Sequence, residues 1–207
     1  MATSLSFDVL HPQPLLIVIS GPSGVGKDAV VKRMKEIGLP FHFVVTATSR
    51  APRVGEQNGV DYHFITREAF KKMIDENELL EYANVYNDYK GIPKAQIRQA
   101  MESGLDVVLR VDVQGAAKLR SLCPEAVLIF LVPANEAEWY SRLLDRKTET
   151  DESLRIRTET ALVELERVQM FDYVVVNAND RLDDAVEVIR SIIQAEHHKV
   201  NPRKITL

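Results

Sequence analysis

The segment from Leu15 to Ile37, LLIVISGPSGVGKDAVVKRMKEI, places a glycine-rich loop between an apolar run and a helical pattern. Gly21, Gly26 and Lys27 have the spacing of a phosphate-binding loop, which requires a strand before it and a helix after it. The backbone N–H groups of such a loop and the start of its helix attract an anion, and the lysine adds a mobile positive charge. The segment therefore predicts a nucleotide phosphate site at the end of a buried strand.

The residue after Lys27 is Asp28, where this loop pattern usually has Ser or Thr as a Mg²⁺ ligand. One interpretation is structural, because the helix dipole favours a carboxylate in a first turn. The other is functional: beside a polyphosphate this charge is repulsive unless a cation intervenes, and carboxylate oxygen binds Mg²⁺ well. We predict that Asp28 acts through the metal.

A second candidate metal ligand, Asp112, ends the apolar stretch in VVLRVDVQG. In phosphate-loop enzymes an Asp at such a strand end helps to hold Mg²⁺. The alternative is a helix cap, which is also common for an Asp at this position. We predict that Asp112 and Asp28 share the metal.

Apolar runs without alternation, typical of strands covered on both faces, recur along the chain and are separated by helical patterns. The predicted strands are Leu15–Ser20, Phe41–Thr46, Asp106–Val111, Ala126–Leu131 and Tyr173–Val176. The predicted helices are Asp28–Ile37, Thr66–Asn77, Lys94–Ser103, Asn135–Arg146, Asp151–Phe171 and Asp180–His197. This order predicts an α/β fold with a parallel sheet and helices on both faces.

The helix predicted at Asp151–Phe171 carries a stripe with spacings of four and three, which we expect to face the core. Its members are Leu154, Thr158, Ala161, Leu165 and Val168.

Two stretches interrupt the alternation of strands and helices. Residues 47–93 are rich in Gly, Tyr, Asn and Arg, and residues 142–157 are densely charged. Neither can supply much core, and such excursions are where the moving parts of enzymes are usually found. We expect one domain over residues 1–207, with a core formed by 1–46 and 94–207, an insertion at 47–93 and a mobile lid at 142–158.

Composition limits the partners and the compartment. The formal net charge is −4, which argues against a nucleic-acid partner. The apolar runs are far shorter than the roughly 20 residues that span a bilayer, so no membrane partner is expected. A single cysteine, Cys123, favours a reducing compartment. The start, MATSLSFDVLHPQP, predicts neither a secretory signal nor a transit peptide, with a processed remnant as the alternative.

Several motifs follow in order: ISGPSGVGK, TSRAPRVGEQNGVDYHF, ELLEYANVY, VDVQGA and RLLDRKTETDES. Together they resemble guanylate kinase over residues 15–195. The resemblance implies a P-loop NTPase-type fold and Mg²⁺-dependent transfer of the ATP γ-phosphoryl group to GMP, giving ADP and GDP. It makes residues 47–93 a GMP-binding subdomain. The implied ATP-binding residues are Gly21, Pro22, Ser23, Gly24, Val25, Gly26, Lys27 and Asp28.

The GMP phosphate is assigned to the motif SRAPRVGE. Arg50 and Arg53 are three residues apart, so their planar guanidinium groups can converge on one phosphate. The resemblance assigns both, with Tyr62, to the GMP phosphate, and gives Glu56 an ordering and binding role nearby. The alternative is an exposed basic turn.

Guanine recognition is assigned to Glu81 and Thr46. A carboxylate has only acceptors, whereas guanine offers two donors, N1–H and the 2-amino group, so Glu81 can accept a pair of hydrogen bonds. The resemblance adds Thr46 as a small hydroxyl residue that touches the base. The alternative for Glu81 is a solvated surface carboxylate.

The chain departs from the commoner family pattern at three positions. Lys90 replaces a tyrosine that hydrogen-bonds the GMP phosphate, and Ile92 replaces a hydroxyl residue that contacts guanine. Arg110 stands at a place that is often acidic, and an arginine near bound GMP would favour its phosphate. Guanine selection then rests more heavily on Glu81 and Thr46.

No general base is predicted, because the second pKa of a phosphate is about 6 and the attacking oxygen is already ionised at neutral pH. Catalysis must instead neutralise and align two anions. The resemblance implies that Lys27 acts with lid arginines that close over the ATP phosphates: Arg142, Arg146 and Arg157. The alternative is helix-surface pairing with Glu149, Asp151 and Glu152.

Two competing functions stay open. A guanylate-kinase-like scaffold module binds protein ligands, but Lys27 and the lid arginines argue against it. An enzyme for another monophosphate is opposed by Glu81. GKDAV, YKGIPK and LRVDVQGA resemble the plant organellar branch of the family, which implies a plastid or mitochondrial location, with the cytosol as alternative. That branch also implies inhibition by ppGpp at the GMP site, and we expect a monomer.

Overall fold

The computed structural model describes residues 13–85, 87–144 and 151–205. In chain order its elements are β1 Leu16–Ser20, α1 Lys27–Glu36, β2 Phe41–Phe43, β3 Ala47–Thr48, β4 His63–Phe64, α2 Arg67–Asp75, β5 Leu79–Val85, β6 Asp88–Pro93, α3 Lys94–Glu102, β7 Asp106–Arg110, α4 Val113–Leu122, β8 Val127–Val132, α5 Glu136–Leu144, α6 Asp151–Glu166, a 3₁₀ turn Arg167–Met170, β9 Tyr173–Val176 and α7 Leu182–His197.

A parallel sheet forms the centre of the molecule, with strand order β2-β7-β1-β8-β9. Every side chain of β1 is buried, as its unbroken apolar run predicts. One apolar cluster packs α1, α5 and α7 against one face, and a second packs α3 and α4 against the other. The α/β fold with a parallel sheet and helices on both faces is therefore confirmed.

A second, four-stranded sheet is built from residues between Ala47 and Pro93, in the order β4-β3-β6-β5. β5 and β6 pair as an antiparallel hairpin, while the two-residue strands β3 and β4 pair in parallel. A small separate core lies under this sheet, where the ring of Phe70 on α2 stacks on Tyr89 at 5.2 Å. This sheet stands beside the carboxyl edge of the central one, because its strands β5 and β6 line the same cavity as the end of β7.

The structure corrects several predicted boundaries. β2 ends at Phe43 instead of Thr46, because the chain leaves the central sheet and Thr46 O accepts the N–H of His63 in the second one. α4 was not predicted. The helix predicted at Asp151–Phe171 ends at Glu166 and continues as the 3₁₀ turn. The predicted end of α5 at Arg146 lies outside the described residues.

The predicted core stripe on α6 is wrong in part. Ala161 is buried, but Leu165 is 41% exposed, because the groove between α5 and α6 is open on that side. The side chain of Leu154 lies outside the described residues. Within the described ranges, each helix is either too short or too polar to cross a bilayer.

Candidate active site

The phosphate-binding loop joins β1 to α1 at the carboxyl edge of the central sheet. Gly26 has a left-handed backbone (φ 89°), and a Cβ there would collide with the side-chain amide of Asn177, so glycine is required. Lys27 Nζ donates to Gly21 O at 2.5 Å and Pro22 O at 2.9 Å, which folds the side chain over the loop. Burial lowers the pKa of Lys27 to about 8.

A cavity of about 390 Å³ opens in front of this loop. It is bounded by β6 of the second sheet, by the segment between β3 and β4, by the residue that caps α4, by α1 and by α6. Its lining residues are Ser23, Gly24, Gly26, Lys27, Asp28, Ala29, Arg50, Arg53, Tyr62, Asp88, Lys90, Asp112 and Glu164. A smaller cavity adjoins it and is also bordered by Lys27, Tyr62, Lys90 and Asp112; its further lining residues are Thr46, Glu81, Gly91, Arg110 and Val111. The fold thus brings most of the predicted ATP and GMP residues to one continuous space.

The predicted phosphate site for GMP contains a paired arginine. Both guanidinium nitrogens of Arg50 donate to the carboxylate of Glu56, each at 2.8 Å. The backbone N–H of Arg53 donates to Glu56 at 2.6 Å. Burial opposes ionisation of Glu56, yet these hydrogen bonds hold the pKa of its carboxyl below the ordinary value. Arg50 also lies over the ring of Tyr62 at 5.2 Å. Because Glu56 binds both the Arg50 side chain and the Arg53 backbone, it orders the turn that presents both arginines.

The predicted guanine end is a buried carboxylate. Glu81 on β5 is 6% exposed, and its Oε2 has no hydrogen-bond partner among the described residues. Lys118 Nζ lies 3.9 Å from that oxygen, beyond hydrogen-bond distance. Burial, with a further contribution from the charge of Asp112, raises the pKa of Glu81 to about 7. Thr46 is likewise buried at this end.

Ile92 does not reach the cavity. Its register partner across the β5–β6 hairpin is Glu81, and its side chain is fully buried in the second apolar cluster. Lys90, two residues earlier on the same strand, lines both parts of the cavity. Position 92 is therefore an apolar core position in this chain, and the guanine end is formed without it.

Arg110 and Asp28 form an ion pair at 2.8 Å. Burial acts to raise the pKa of Asp28, but Arg110 and then Lys27 hold it below its ordinary value. Asp112 is the N-cap of α4, where its Oδ1 accepts the Gly115 N–H at 2.9 Å. One oxygen of Asp112 therefore caps the helix, as the structural interpretation expects. The residue also borders the cavity.

The predicted lid arginines are only partly described. Arg142 on α5 donates to Asn179 Oδ1 and to Asn177 O, each at 2.8 Å, and reaches Val25 O at 3.4 Å. It therefore ties α5 to the phosphate loop and to the segment after β9, and it is not among the residues that line the cavity. Arg146 and Glu149 lie outside the described residues, as do the side chains of Arg157, Asp151 and Glu152.

The sequence prediction missed Glu164. This residue of α6 lines the cavity next to Lys27, and its carboxylate accepts a hydrogen bond from the backbone of Ser23. Its Oε2 is buried and has no hydrogen-bond partner among the described residues. Burial raises the pKa of Glu164 to about 6, although Lys27 opposes the shift. No local motif marks it, because only the packing of α6 brings it to the loop.

The residues fit a Mg²⁺ ion that is held largely by its substrate. Across the described ranges, no group of three or more His, Cys, Asp or Glu side chains could form a metal site by itself. Mg²⁺ commonly binds through one or two carboxylates together with phosphate oxygens and water. Asp112 and Asp28, which border the cavity beside Lys27, are a carboxylate set of that kind.

Comparison with known proteins agrees with this geometry. Guanylate kinase 2, chloroplastic/mitochondrial, of Oryza sativa subsp. japonica is 55% identical over all of this chain and 74% of its own length. The guanylate kinase of Halalkalibacterium halodurans is 45% identical, over 89% of this chain and 90% of that protein.

Structure and family comparisons point the same way. The crystal structure of guanylate kinase from Anaplasma phagocytophilum superposes with a TM-score of 0.72 at 27% identity, covering 93% of this chain and 90% of that one. The guanylate kinase family model matches residues 13–196. The chain therefore belongs to the guanylate kinase family.

Proposed function

We propose that this chain transfers the γ-phosphoryl group of ATP to GMP, giving ADP and GDP. The observation that carries the proposal is a pair of adjoining cavities: the phosphate loop borders the larger one, the buried carboxylate of Glu81 borders the smaller one, and Lys27 borders both. A phosphate loop at one end suits a triphosphate, and an acceptor without a hydrogen-bond partner at the other suits a base with two donors. A protein-binding scaffold has no use for either feature.

At the ATP end, the backbone N–H groups of residues 23–28 would surround the phosphates, and Lys27 would exchange the carbonyls of Gly21 and Pro22 for phosphate oxygens. Mg²⁺ would be held by Asp112 and Asp28, and it would neutralise charge on the phosphates. The hydrogen bond from the Ser23 N–H to Glu164 would have to break, so that this N–H could donate to a phosphate oxygen of ATP. The Glu164 carboxylate has an elevated pKa, so its displacement or protonation is less costly than that of an ordinary surface glutamate.

At the GMP end, Arg50, Arg53 and Tyr62 would bind the phosphate in the turn that Glu56 orders. Lys90 borders both ends of the cavity and supplies a further positive charge between the two nucleotides. Glu81 would accept N1–H and the 2-amino group of guanine, with Thr46 beside the base. Adenine offers no such pair of donors, so the arrangement favours GMP over AMP.

The reaction needs alignment and charge neutralisation more than proton transfer, because the attacking phosphate oxygen is already ionised. We assign closure over ATP to a lid at residues 142–158, with Arg142, Arg146 and Arg157 as its cations, and GMP binding to a subdomain at 47–93. Arg142 would have to leave Asn177 and Asn179 to reach ATP. Closure would also exclude water and so limit ATP hydrolysis.

We further propose a plastid or mitochondrial location, supported by the name of the rice relative, which is chloroplastic/mitochondrial. Inhibition by ppGpp would follow if its guanine occupies the Glu81 end of the cavity, and we propose a monomeric enzyme.

The test is ATP-dependent conversion of GMP to GDP by the purified protein with Mg²⁺. Lys27→Ala should lower turnover by at least about 100-fold, as expected for loss of a charge that stabilises a phosphoryl-transfer transition state. AMP, UMP and CMP measured side by side should be much poorer acceptors. Folded wild-type protein that binds neither ATP nor GMP would refute the proposal and favour a scaffold role.

A further inference from the structure

Asp28 occupies a position in the phosphate loop, yet its strongest contact is directed away from that loop. Its Oδ1 pairs with Arg110, the last residue of β7, at 2.8 Å. The Asp28 side chain is 51% exposed, whereas that of Arg110 is only 11% exposed. The arginine is therefore the buried member of the pair, and Asp28 is its counter-charge.

Arg110 also contacts the segment between β3 and β4. Its guanidinium donates to the backbone carbonyl of Asp61 at 2.6 Å and lies 4.3 Å from the centre of the Tyr62 ring. The Asp61 carboxylate in turn accepts the N–H of Gln57 at 2.9 Å, which fixes the loop that precedes Tyr62. One guanidinium thus connects the start of α1 to the segment that carries a predicted GMP-phosphate residue.

We infer that Asp28 is a positioning residue for GMP, which acts through Arg110 to hold Tyr62 at the acceptor site. The inference rests on the proposed function and adds a coupling between the two substrate sites. A buried guanidinium that loses its carboxylate partner seeks another acceptor, and its contacts with Asp61 and Tyr62 change as it does so. A residue of the ATP loop therefore controls the geometry of the GMP site.

The inference makes a prediction that a purely metal-binding role for Asp28 does not make. GMP binding can be measured by calorimetry with neither ATP nor Mg²⁺ in solution. Asp28→Asn keeps the size of the side chain but removes the charge, and it should weaken GMP binding about tenfold, as expected for broken contacts in one network. Glu36→Gln removes one charge from the far end of the same helix, outside the cavity, and should leave GMP binding unchanged.

Arg110→Met completes a double-variant cycle. If Asp28 acts only through Arg110, the variant with both Asp28→Asn and Arg110→Met binds GMP as the Arg110→Met variant does. The inference would be overturned if the losses of GMP affinity in the two single variants multiplied in the double variant. Wild-type GMP affinity in the Asp28→Asn variant would overturn it as well. If Asp28→Asn alone fails to fold because the arginine is left unpaired, the comparison of Arg110→Met with the double variant decides the same question. Failure of the proposed function is distinct, since the wild-type protein would then not bind GMP.

Discussion

The guanidinium of Arg50 binds both carboxylate oxygens of Glu56, each at 2.8 Å, at the edge of the cavity. The two side chains are 15% and 16% exposed, so the pair is largely shielded from solvent. Because the Arg50 guanidinium is already held in one orientation, its side chain loses little rotamer entropy when a phosphate binds. The proposed GMP-phosphate site is therefore ordered before a ligand binds.

This arrangement predicts that charge alone is not enough at position 50. Arg50→Lys keeps the positive charge but loses the planar pair of donors, so it cannot hold Glu56 and a phosphate together. We expect the KM for GMP to rise about tenfold or more, as for other losses of bidentate binding, while the KM for ATP changes little. Arg67→Lys is the matched control, because Arg67 contacts Asn87 O and the Tyr89 ring away from the cavity. Equal KM values for GMP in wild type and Arg50→Lys would contradict the assignment.

GMP binding should also depend on the ionisation of Glu81. The pKa of its carboxyl is raised to about 7 by burial and by Asp112, and only the ionised form accepts both guanine donors. The ionised fraction falls roughly tenfold between pH 8 and pH 6 for such a group, and we expect the KM for GMP to rise by about that factor. Steady-state kinetics at saturating ATP and Mg²⁺ across this range measures it.

The same shift has a consequence for folding with a defined sign. The folded pKa of about 7 lies above the ordinary 4.5, so the ionisation of Glu81 opposes folding as the pH rises through that interval. Glu81→Gln should therefore be most stable relative to wild type at pH 8 and lose this advantage toward pH 4.5, as measured by denaturant unfolding.

The KM for GMP of Glu81→Gln should also lack the tenfold rise between pH 8 and pH 6. Only a small pH dependence should remain, because the phosphate of GMP itself titrates near pH 6. An unaltered pH profile in Glu81→Gln would rule out Glu81 as the titrating group.

Gly115 on α4 is expected to matter because of what it faces. A Cβ at this position would lie 2.9 Å from Oε1 of Glu81. In a helix, alanine is favoured over glycine by about 1 kcal/mol, so Gly115→Ala should fold while it displaces the carboxylate that we propose binds guanine. We expect GMP affinity to drop by about tenfold or more, as for loss of paired hydrogen bonds, with ATP affinity retained. Gln114→Ala, at the exposed neighbouring position, should leave both affinities unchanged; retained GMP affinity in Gly115→Ala would show that Glu81 can move without loss.

Local spacing was sufficient to predict the phosphate loop, Lys27 and the buried strands, because each follows from a short apolar or glycine pattern. The helix α4 escaped prediction because VQGAAKLRSL begins directly after a strand end and contains a glycine that usually disfavours helix. Its Asp112 cap was the one available signal. The strands β3 and β4 have two residues each, too few to show any periodicity.

Contacts between distant segments could not be predicted from the sequence. Asp28 and Arg110 were each recognised as departures from the usual pattern, but only the packing of α1 beside β7 pairs them. Glu164 comes to the Ser23 backbone from a helix far along the chain, and nothing in its neighbours distinguishes it from a surface glutamate. The groove between α5 and α6 likewise explains why Leu165 is exposed within an apparent core stripe.

The role of Asp112 can be separated into capping and metal binding by one substitution. Asn caps a helix about as well as Asp, so Asp112→Asn should preserve the hydrogen bond to Gly115 N–H and the stability of α4 while it removes the charge. We expect the Mg²⁺ concentration for half-maximal activity to rise about tenfold or more, as for loss of other carboxylates around a metal. Titration of activity with Mg²⁺ at saturating ATP and GMP measures this value, and thermal unfolding shows whether the cap is intact.

Asp88→Asn supplies a charge-matched comparison, because Asp88 borders the same cavity from β6 of the second sheet and this substitution likewise removes one negative charge. Its half-saturating Mg²⁺ concentration should remain near that of wild type. A similar rise in both variants would mean that Mg²⁺ responds to the total charge of the cavity and not to a ligand at the end of β7. An Asp112→Asn variant with wild-type Mg²⁺ dependence and stability would instead leave Asp112 with capping alone, and the metal would then have to be held by Asp28 and the substrate phosphates.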